Sequence, residues 1–445
     1  MCGIYGSFGG KGNFDKIKHR GKDGIGQIAD NEKILFHTLH AIVGKVKQPL
    51  TKENSTFMSN CEIYNWKKLN EKYALNAKND AELLFFLLEK KGLSALDELD
   101  GVYAFYWEKQ GVVYLVRDIL GVKPLCYVEG FAFASEGKAL EGDVKELDPR
   151  KILKYDVKSK KISFIDRSFF TINQNNDNKE NILKELEVKL VEAVQKRTAG
   201  LDHFGILFSG GIDSTILAFI CKKLGKKFTC YTAAFADGNT RIAPDLISAK
   251  EVASELGFEL KHVELGLEKT EKTVKEVITI IETRDPIKVG VGLPFFICSK
   301  MAAEDGCKVL FSGLGSEEIF AGYKRHLDVF SNGGDVNKEC LNGLKLMHER
   351  DLYRDDLVTM ANAVELRLPF LDHCLVDFSL GIPSAFKIDN THNKKILREL
   401  AIKMGVLSEI AMQKKRAAQY GSNFDKALEK LAGKNGKREY LNSLN

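Results

Sequence analysis

Two places in this 445-residue chain carry residue types at spacings that could do chemistry. The first is Cys2. A cysteine directly behind the initiator methionine, followed by Gly3, gains a free α-amine beside its thiol once Met1 is removed. That amine, with an intrinsic pKa near ~8, can act as the base that activates the nucleophile. Taken alone, a chance cysteine is the simpler reading, so Cys2 needs support from residues downstream. The second place is Ser209-Gly210-Gly211-Ile212-Asp213-Ser214, which follows the apolar run Ile206, Leu207, Phe208 and opens a helical pattern. Adjacent glycines let the backbone turn tightly with its N–H groups inward, and a helix N-terminus adds positive potential. With the hydroxyls of Ser209 and Ser214 the loop becomes a phosphate cradle. Asp213 fits beside phosphates when Mg²⁺ lies between them. The spacing is not that of the G-x-x-x-x-G-K-[ST] loop.

The elements that must position these residues change character along the chain. KILFHTLHAIVG, GVYAFYWE, GVVYLVRD and GFAFASEG read as short strands between glycine turns. One helix is expected over Asp80–Lys91, with Leu83, Leu84, Leu87 and Leu88 on one face. Many strands with few helices predict a packed pair of sheets over residues 2–172. Residues 173–181, polar and without apolar anchors, read as a linker. From 182 to 445 strands alternate with helices, which predicts a parallel sheet covered on both faces. Ligands of such sheets bind at the carboxyl ends of the strands. The SGGIDS loop and a second glycine loop, in KVLFSGLGSEEIFAGY, both fall there.

Composition excludes several classes. With 44% hydrophobic and 29% charged residues the chain is globular rather than disordered. No uninterrupted apolar run approaches the ~18–20 residues of a membrane helix, and the N-terminus lacks signal-peptide character. Nine cysteines, odd in number and without a C-x-x-C pair, argue against a disulfide framework or a structural zinc and for a reducing cytoplasm. The net charge of +5 is small for this length, so a solvated lysine-rich surface is preferred to a large anion-binding face. The basic stretch from Gln413 to Glu439 is read the same way, in preference to a nucleic-acid contact.

The first 140 residues or so resemble the class II, N-terminal-nucleophile glutamine amidotransferases. MCGIYG, KHRGKDGIG, Asn60-Cys61-Glu62-Ile63-Tyr64-Asn65, Asn79-Asp80-Ala81-Glu82, Leu99–Phe105, Arg117–Gly121 and Phe133–Glu136 match in order. The resemblance implies that Cys2 attacks glutamine, that Asn60 and the N–H of Cys61 form an oxyanion hole, and that Glu62 and Asp80 hold the glutamine ammonium. A tetrahedral intermediate needs such donors. It also implies an Ntn-hydrolase-like αββα sandwich. Three positions depart from the pattern: Cys61 replaces glycine, Lys22 replaces proline, and Leu39 replaces the arginine of H-x-R-L-x-I. Leu39 cannot grip a carboxylate, which leaves His40, Arg20 or Lys22 as substitutes.

Residues 185 to about 425 resemble the ATP pyrophosphatase domain of asparagine synthetase. Beyond SGGIDS the matches include Pro244-Asp245, Glu282–Asp285, Ser312–Glu318, Ala321–Tyr323, Val364–Asp372 and Lys394–Arg398. The resemblance implies ATP and Mg²⁺ as cofactors. Leu207, Ser209, Gly210, Gly211, Asp213, Ser214, Ser312 and Gly313 would contact ATP or pyrophosphate. Asp213 and Glu317 would share the metal, and Lys394 would neutralise the departing phosphates. For Arg367 and Asp372 a buried ion pair is at least as good a reading as a direct role. Leu314 stands where the family carries a glutamate, and no arginine follows Asp285, where Lys288 partly compensates. The implied activity is adenylation of a carboxylate, aspartate first, with release of pyrophosphate and amidation by ammonia from glutamine. Another carboxylate, or a regulatory protein without turnover, are the alternatives. Expected partners are these small molecules, with a homodimer as the assembly considered and neither membrane nor nucleic acid involved.

Overall fold

A computed structural model describes residues 2–238, 240–413 and 417–444. The chain divides into two compact units, Met1–Phe169 with Met347–Ala363, and Phe170–Leu346 with Val364–Asn445. Residues 347–363, which the linear division of the sequence leaves in the second region, pack with the first.

The first unit holds two six-stranded sheets with antiparallel pairing. In one, Gly3–Ser7 lies between Ile34–Leu39 and Ala132–Ala134, with Gly24–Ala29 at one edge. In the other, Ser55–Ile63 pairs with Gly101–Lys109, which pairs with Val112–Arg117. The sheets face each other across a core of Ile4, Leu35 and Phe133 from one, and Met58, Tyr106 and Leu115 from the other. The predicted helix Asp80–Lys91 covers the outer face of the second sheet. Its Asn79 cap accepts from the Glu82 N–H, and Gly92 ends it at φ +63°. Leu83, Leu84, Leu87 and Leu88 are all fully buried there, worth roughly 2 kcal/mol apiece. On the outer face of the first sheet Tyr5, Ile17, Phe36 and Ala134 form a core against which Tyr353 packs. The helix Tyr353–Met360 thus helps complete the fourth layer of an αββα sandwich.

The second unit is built on a five-stranded parallel sheet, in the order Leu260–Leu265, Phe228–Phe235, Phe204–Leu207, Val309–Phe311, Glu365–Arg367. From Phe204–Leu207 the chain first builds outward in one direction and then returns to add strands on the other side. The switch point lies between Phe204–Leu207 and Val309–Phe311, where such sheets open a crevice. Each of these two strands runs into one of the glycine loops. The polar stretch 173–181 lies within this unit and runs into the helix Lys179–Thr198, capped by Asn178, so its last three residues are helical. Helix Pro286–Glu304 is the one described helix long and apolar enough to cross a bilayer. Val289, Leu293, Phe296 and Ile297 bury its apolar side in the protein, as in a core helix.

Candidate functional site

In the first unit the alternation of the strands decides which residues meet. Gly3 pairs with Thr38 and Ile4 with His37, so Cys2 and Leu39 reach the same end of the inter-sheet space. Cys2 is buried and precedes the first strand, and side chains hold both of its main-chain handles. Its N–H donates to Asn60 Oδ1 at 3.1 Å, and its carbonyl accepts from Arg20 Nε at 3.2 Å. Asn60 is fully buried and its Nδ2 has no hydrogen-bond partner. A buried donor left open costs stability unless something accepts from it, so an open amide N–H beside a nucleophile is the feature an oxyanion hole requires.

Glu62 and Asp80 are both buried. Asp80 Oδ2 accepts from the Ile63 N–H at 3.1 Å and lies 3.8 Å from Cys61 Sγ. Cys61 Sγ also lies 3.3 Å from Ser59 Oγ. Burial and the Asp80 charge push the Cys61 thiol well up, so it stays protonated. His37 is held to about 4 by burial and is neutral, with Nε2 3.2 Å from Ser59 O.

A cavity of about 230 Å³ opens on this end of the unit, lined among others by Asp23, His37, Leu39, Lys45, Lys47 and Gln48. Gln48 Oε1 accepts from the Ser59 N–H at 2.7 Å, which ties the cavity wall to the strand carrying Asn60. Gly26 makes room, because a Cβ there would lie 1.7 Å from Gln48 O. Of the three substitutes for the missing arginine, none lines the cavity. Arg20 is fully buried on Cys2, Glu136 and Asp356. His40 is also buried, and Lys22 points to solvent. Lys45 and Lys47 are the cations that sequence reasoning missed. Their signal was weak, since they sit on a loop outside any motif.

In the second unit Asp213, Glu317 and Lys394 come together from three distant stretches of sequence. Lys394 Nζ lies 2.7 and 2.8 Å from the two Asp213 oxygens, 2.9 Å from Ser316 Oγ and 3.2 Å from Glu317 Oε1. All four residues are buried. Lys394 caps the helix Lys395–Met404 at φ +53°, ψ +33°, a conformation non-glycine residues adopt at a cost. The glycines clear space around this cluster. A Cβ on Gly313 would lie 2.6 Å from Asp213 Cβ, and one on Gly322 would lie 2.2 Å from Lys394 Cε. Gly210 turns at φ +72°, with Ser248 backbone 2.5 Å from where its Cβ would be. Gly211 caps the helix Ile212–Lys223 without a side-chain cap, which leaves its first N–H groups for a ligand. Ser209 Oγ accepts from Gly211 N at 3.3 Å, and Ser214 Oγ donates to Gly211 O at 3.1 Å. Leu207 ends its strand just before this turn. Ser312 N donates to Arg367 O at 3.1 Å, and Ser312 Oγ accepts from Leu314 N at 3.2 Å.

Among the described residues no group of three or more His, Cys, Asp or Glu side chains could hold a metal. Asp213 and Glu317 are two carboxylates. That suits a magnesium ion held by one or two carboxylates and completed by phosphate oxygens. Arg367 and Asp372 do not pair with each other. Arg367 Nε donates to Glu365 at 2.7 Å, while Asp372 pairs with Arg197 at 2.7 Å and caps the helix His373–Gly381. None of the nine cysteines forms a disulfide. In the basic C-terminal stretch residues 414–416 lie outside the described residues. Beyond them Lys430 pairs with Asp237 and Lys437 with Asp425.

A family model for the glutamine amidotransferase domain matches residues 1–175, and one for asparagine synthase matches 185–334 and 328–443. A putative glutamine-hydrolysing asparagine synthetase of Methanocaldococcus jannaschii is 35% identical, over 94% of this chain and 92% of its own length. Asparagine synthetase B of Escherichia coli is 30% identical over 90% of this chain and 78% of its own. The glutamine-hydrolysing asparagine synthetase of Gallus gallus is 30% identical over 90% and 80%. The N-terminal region is a glutamine amidotransferase domain. As a whole, the chain belongs to the asparagine synthase family.

Proposed function

We propose that this chain is a glutamine-hydrolysing asparagine synthetase that couples ATP cleavage to amidation of aspartate. The observation that carries the reading is the Lys394–Asp213–Ser316–Glu317 cluster beside two glycine turns at the switch point of a parallel sheet. Phosphates seated against the Gly210–Gly211 turn would meet open helix N–H groups, with Lys394 as the cationic donor for charge on the leaving pyrophosphate. Asp213 and Glu317 are the carboxylates that would hold Mg²⁺, which neutralises phosphate charge when bound.

In the first unit the Cys2 thiol attacks the glutamine carboxamide, and Asn60 Nδ2 donates to the oxygen that becomes negative. Glu62 and Asp80 take the substrate ammonium. Lys45 and Lys47 replace the missing arginine and face its carboxylate as two point charges rather than a fork. The cavity that both lysines line together with His37 and Leu39 supports a seat for that carboxylate. Confining the released ammonia matters, because in neutral water it is largely protonated and poorly nucleophilic.

The test is pyrophosphate release from ATP with Mg²⁺, with glutamine or ammonium as donor and with or without aspartate. Release that requires aspartate, with asparagine appearing in parallel, is the expected result. Leu314, at the position of the family's glutamate, favours a second reading in which another carboxylate is the acceptor. Release driven by a different carboxylate and indifferent to aspartate would select that reading.

A further inference from the structure

The nucleophile's mount includes a side chain from far along the sequence. Arg20 is fully buried, and its guanidinium is engaged on three sides. Nε donates to the Cys2 carbonyl at 3.2 Å, Nη1 donates to Glu136 Oε1 at 2.7 Å, and Nη2 lies 2.8 Å from Asp356 Oδ2. The last contact is an ion pair without hydrogen-bond alignment. Glu136 is itself anchored, by His19 Nε2 at 3.0 Å and Lys138 Nζ at 2.6 Å. Asp356 lies on the helix Tyr353–Met360, in the segment 347–363 that packs with the first unit although the sequence on both sides of it belongs to the second. Two more contacts fasten this segment to the unit. Tyr353 Oη accepts from the Gly137 N–H at 2.8 Å, and His348 Nδ1 lies 3.3 Å from Glu146 Oε1.

We infer that Asp356 is a positioning residue for Cys2, acting through Arg20. A guanidinium is planar and rigid, so carboxylates on its two Nη atoms fix the direction of Nε. Cys2 stands before the first strand, and Arg20 Nε holds its carbonyl at 3.2 Å. With Asp356 gone, Arg20 keeps one carboxylate and can rotate about it, and the thiol loses its registry with Asn60. Glutamine hydrolysis in the first unit therefore depends on a residue contributed from within the synthetase half of the sequence. The inference rests on the reading of Cys2 as the nucleophile.

The test uses the full-length chain with Asp356→Asn and Asp356→Glu, measuring kcat and KM for glutamine hydrolysis and, separately, ammonium-supported pyrophosphate release. Misplacement of a nucleophile by an ångström costs on the order of tenfold or more in rate. Asp356→Asn should lower kcat for glutamine hydrolysis about tenfold or more, leave KM within about twofold, and leave ammonium-supported release unchanged. Asp356→Glu should restore part of kcat. Because a buried arginine stripped of one partner can prevent folding, Tyr353→Phe provides a milder second variant. It keeps the ring in its apolar contacts, removes the acceptor for Gly137, and should show the same pattern at smaller amplitude. An unchanged kcat in these variants, or an equal fall in ammonium-supported release, overturns the positioning role. Glutamine hydrolysis that survives Cys2→Ala overturns the nucleophile reading itself, and the inference with it.

Discussion

At the level of single residues, the proposed division of labour assigns glutamine hydrolysis to Cys2 and Asn60 in one unit and the phosphate chemistry to Lys394 in the other. Cys2→Ala should abolish glutamine-supported turnover and spare ammonium-supported turnover, since the phosphate cluster contains no residue from the Cys2 site. Equal loss of both would contradict the assignment. Asn60→Ala removes the open Nδ2 donor and should cost about 10²–10³ in kcat for glutamine hydrolysis. Lys45 and Lys47 carry a different expectation. Replacing both with alanine should raise KM for glutamine by on the order of tenfold with kcat little changed, because in the proposed binding mode they face a part of the substrate that does not react. A fall in kcat at constant KM would place them elsewhere in the cycle. Cys2 and Asp213 stand out by local chemistry, and Asn60, Glu317 and Lys394 by the family resemblance; the structure brings Asn60 onto Cys2 and gathers Asp213, Glu317 and Lys394. Sequence alone did not reach Lys45, Lys47 or Ser316's contact with Lys394, because these depend on where loops close in space. It also offered Arg20 as a carboxylate reader, although its guanidinium turns inward onto three buried partners.

At the level of elements, periodicity and glycine turns carried most of the information. The helix Asp80–Lys91 follows from its leucine stripe, and the two strand–glycine–helix passages follow from apolar runs that end in permissive turns. The order of strands in the sheets was not legible, since it is set by pairing between segments with no local mark. The short helix Ser384–Lys387 conceals a further property. Lys387 is fully buried, with Nζ 2.8 Å from Asn337 Oδ1, a neutral acceptor. Burial lowers its pKa from 10.5 to about 8, although Cys340 and Asp335 act in the opposite direction. Between about pH 8 and 10.5 the unfolded chain therefore binds more protons than the folded one at this site, and stability from this group rises with pH. The stabilisation is fully present above 10.5 and is lost as pH falls through about 8, so at pH 7 the buried charge costs on the order of 3 kcal/mol. Losing the Asn337 hydrogen bond offsets about 1 kcal/mol of what a neutral replacement would recover. Lys387→Met should be more stable than the wild type in urea at pH 7, and the margin should shrink as pH is raised through 8 to 10. A margin that does not change with pH would mean that Lys387 has the same pKa in the folded and unfolded chain, so that its burial goes unfelt by the proton.

At the level of the whole molecule, the change from strand-rich to alternating sequence near residue 173 was plain, but the return of residues 347–363 to the first unit was not. That segment is helical and mixed in polarity, a pattern compatible with either unit. In the first unit it meets Arg20, more than three hundred positions upstream, through Asp356, and is also held by Tyr353 on Gly137 and His348 beside Glu146. The first unit is consequently discontinuous in sequence, and a fragment cut at residue 172 would lose the Tyr353 ring from the outer-face core of Tyr5, Phe36 and Ala134 and leave Arg20 without Asp356. Breaking a buried ion pair from one side costs roughly 3–5 kcal/mol. For a unit of this size each kcal/mol lowers Tm by about 2–4 °C. Residues 2–172 expressed alone should therefore melt on the order of 10 °C below the same residues carrying 347–363 on a flexible Gly/Ser tether, and should bind a hydrophobic dye that the tethered form does not. Calorimetry of the two proteins side by side checks this. Equal melting temperatures would mean that the segment lies against the sandwich without supporting it, and the fourth layer would then be complete without its helix.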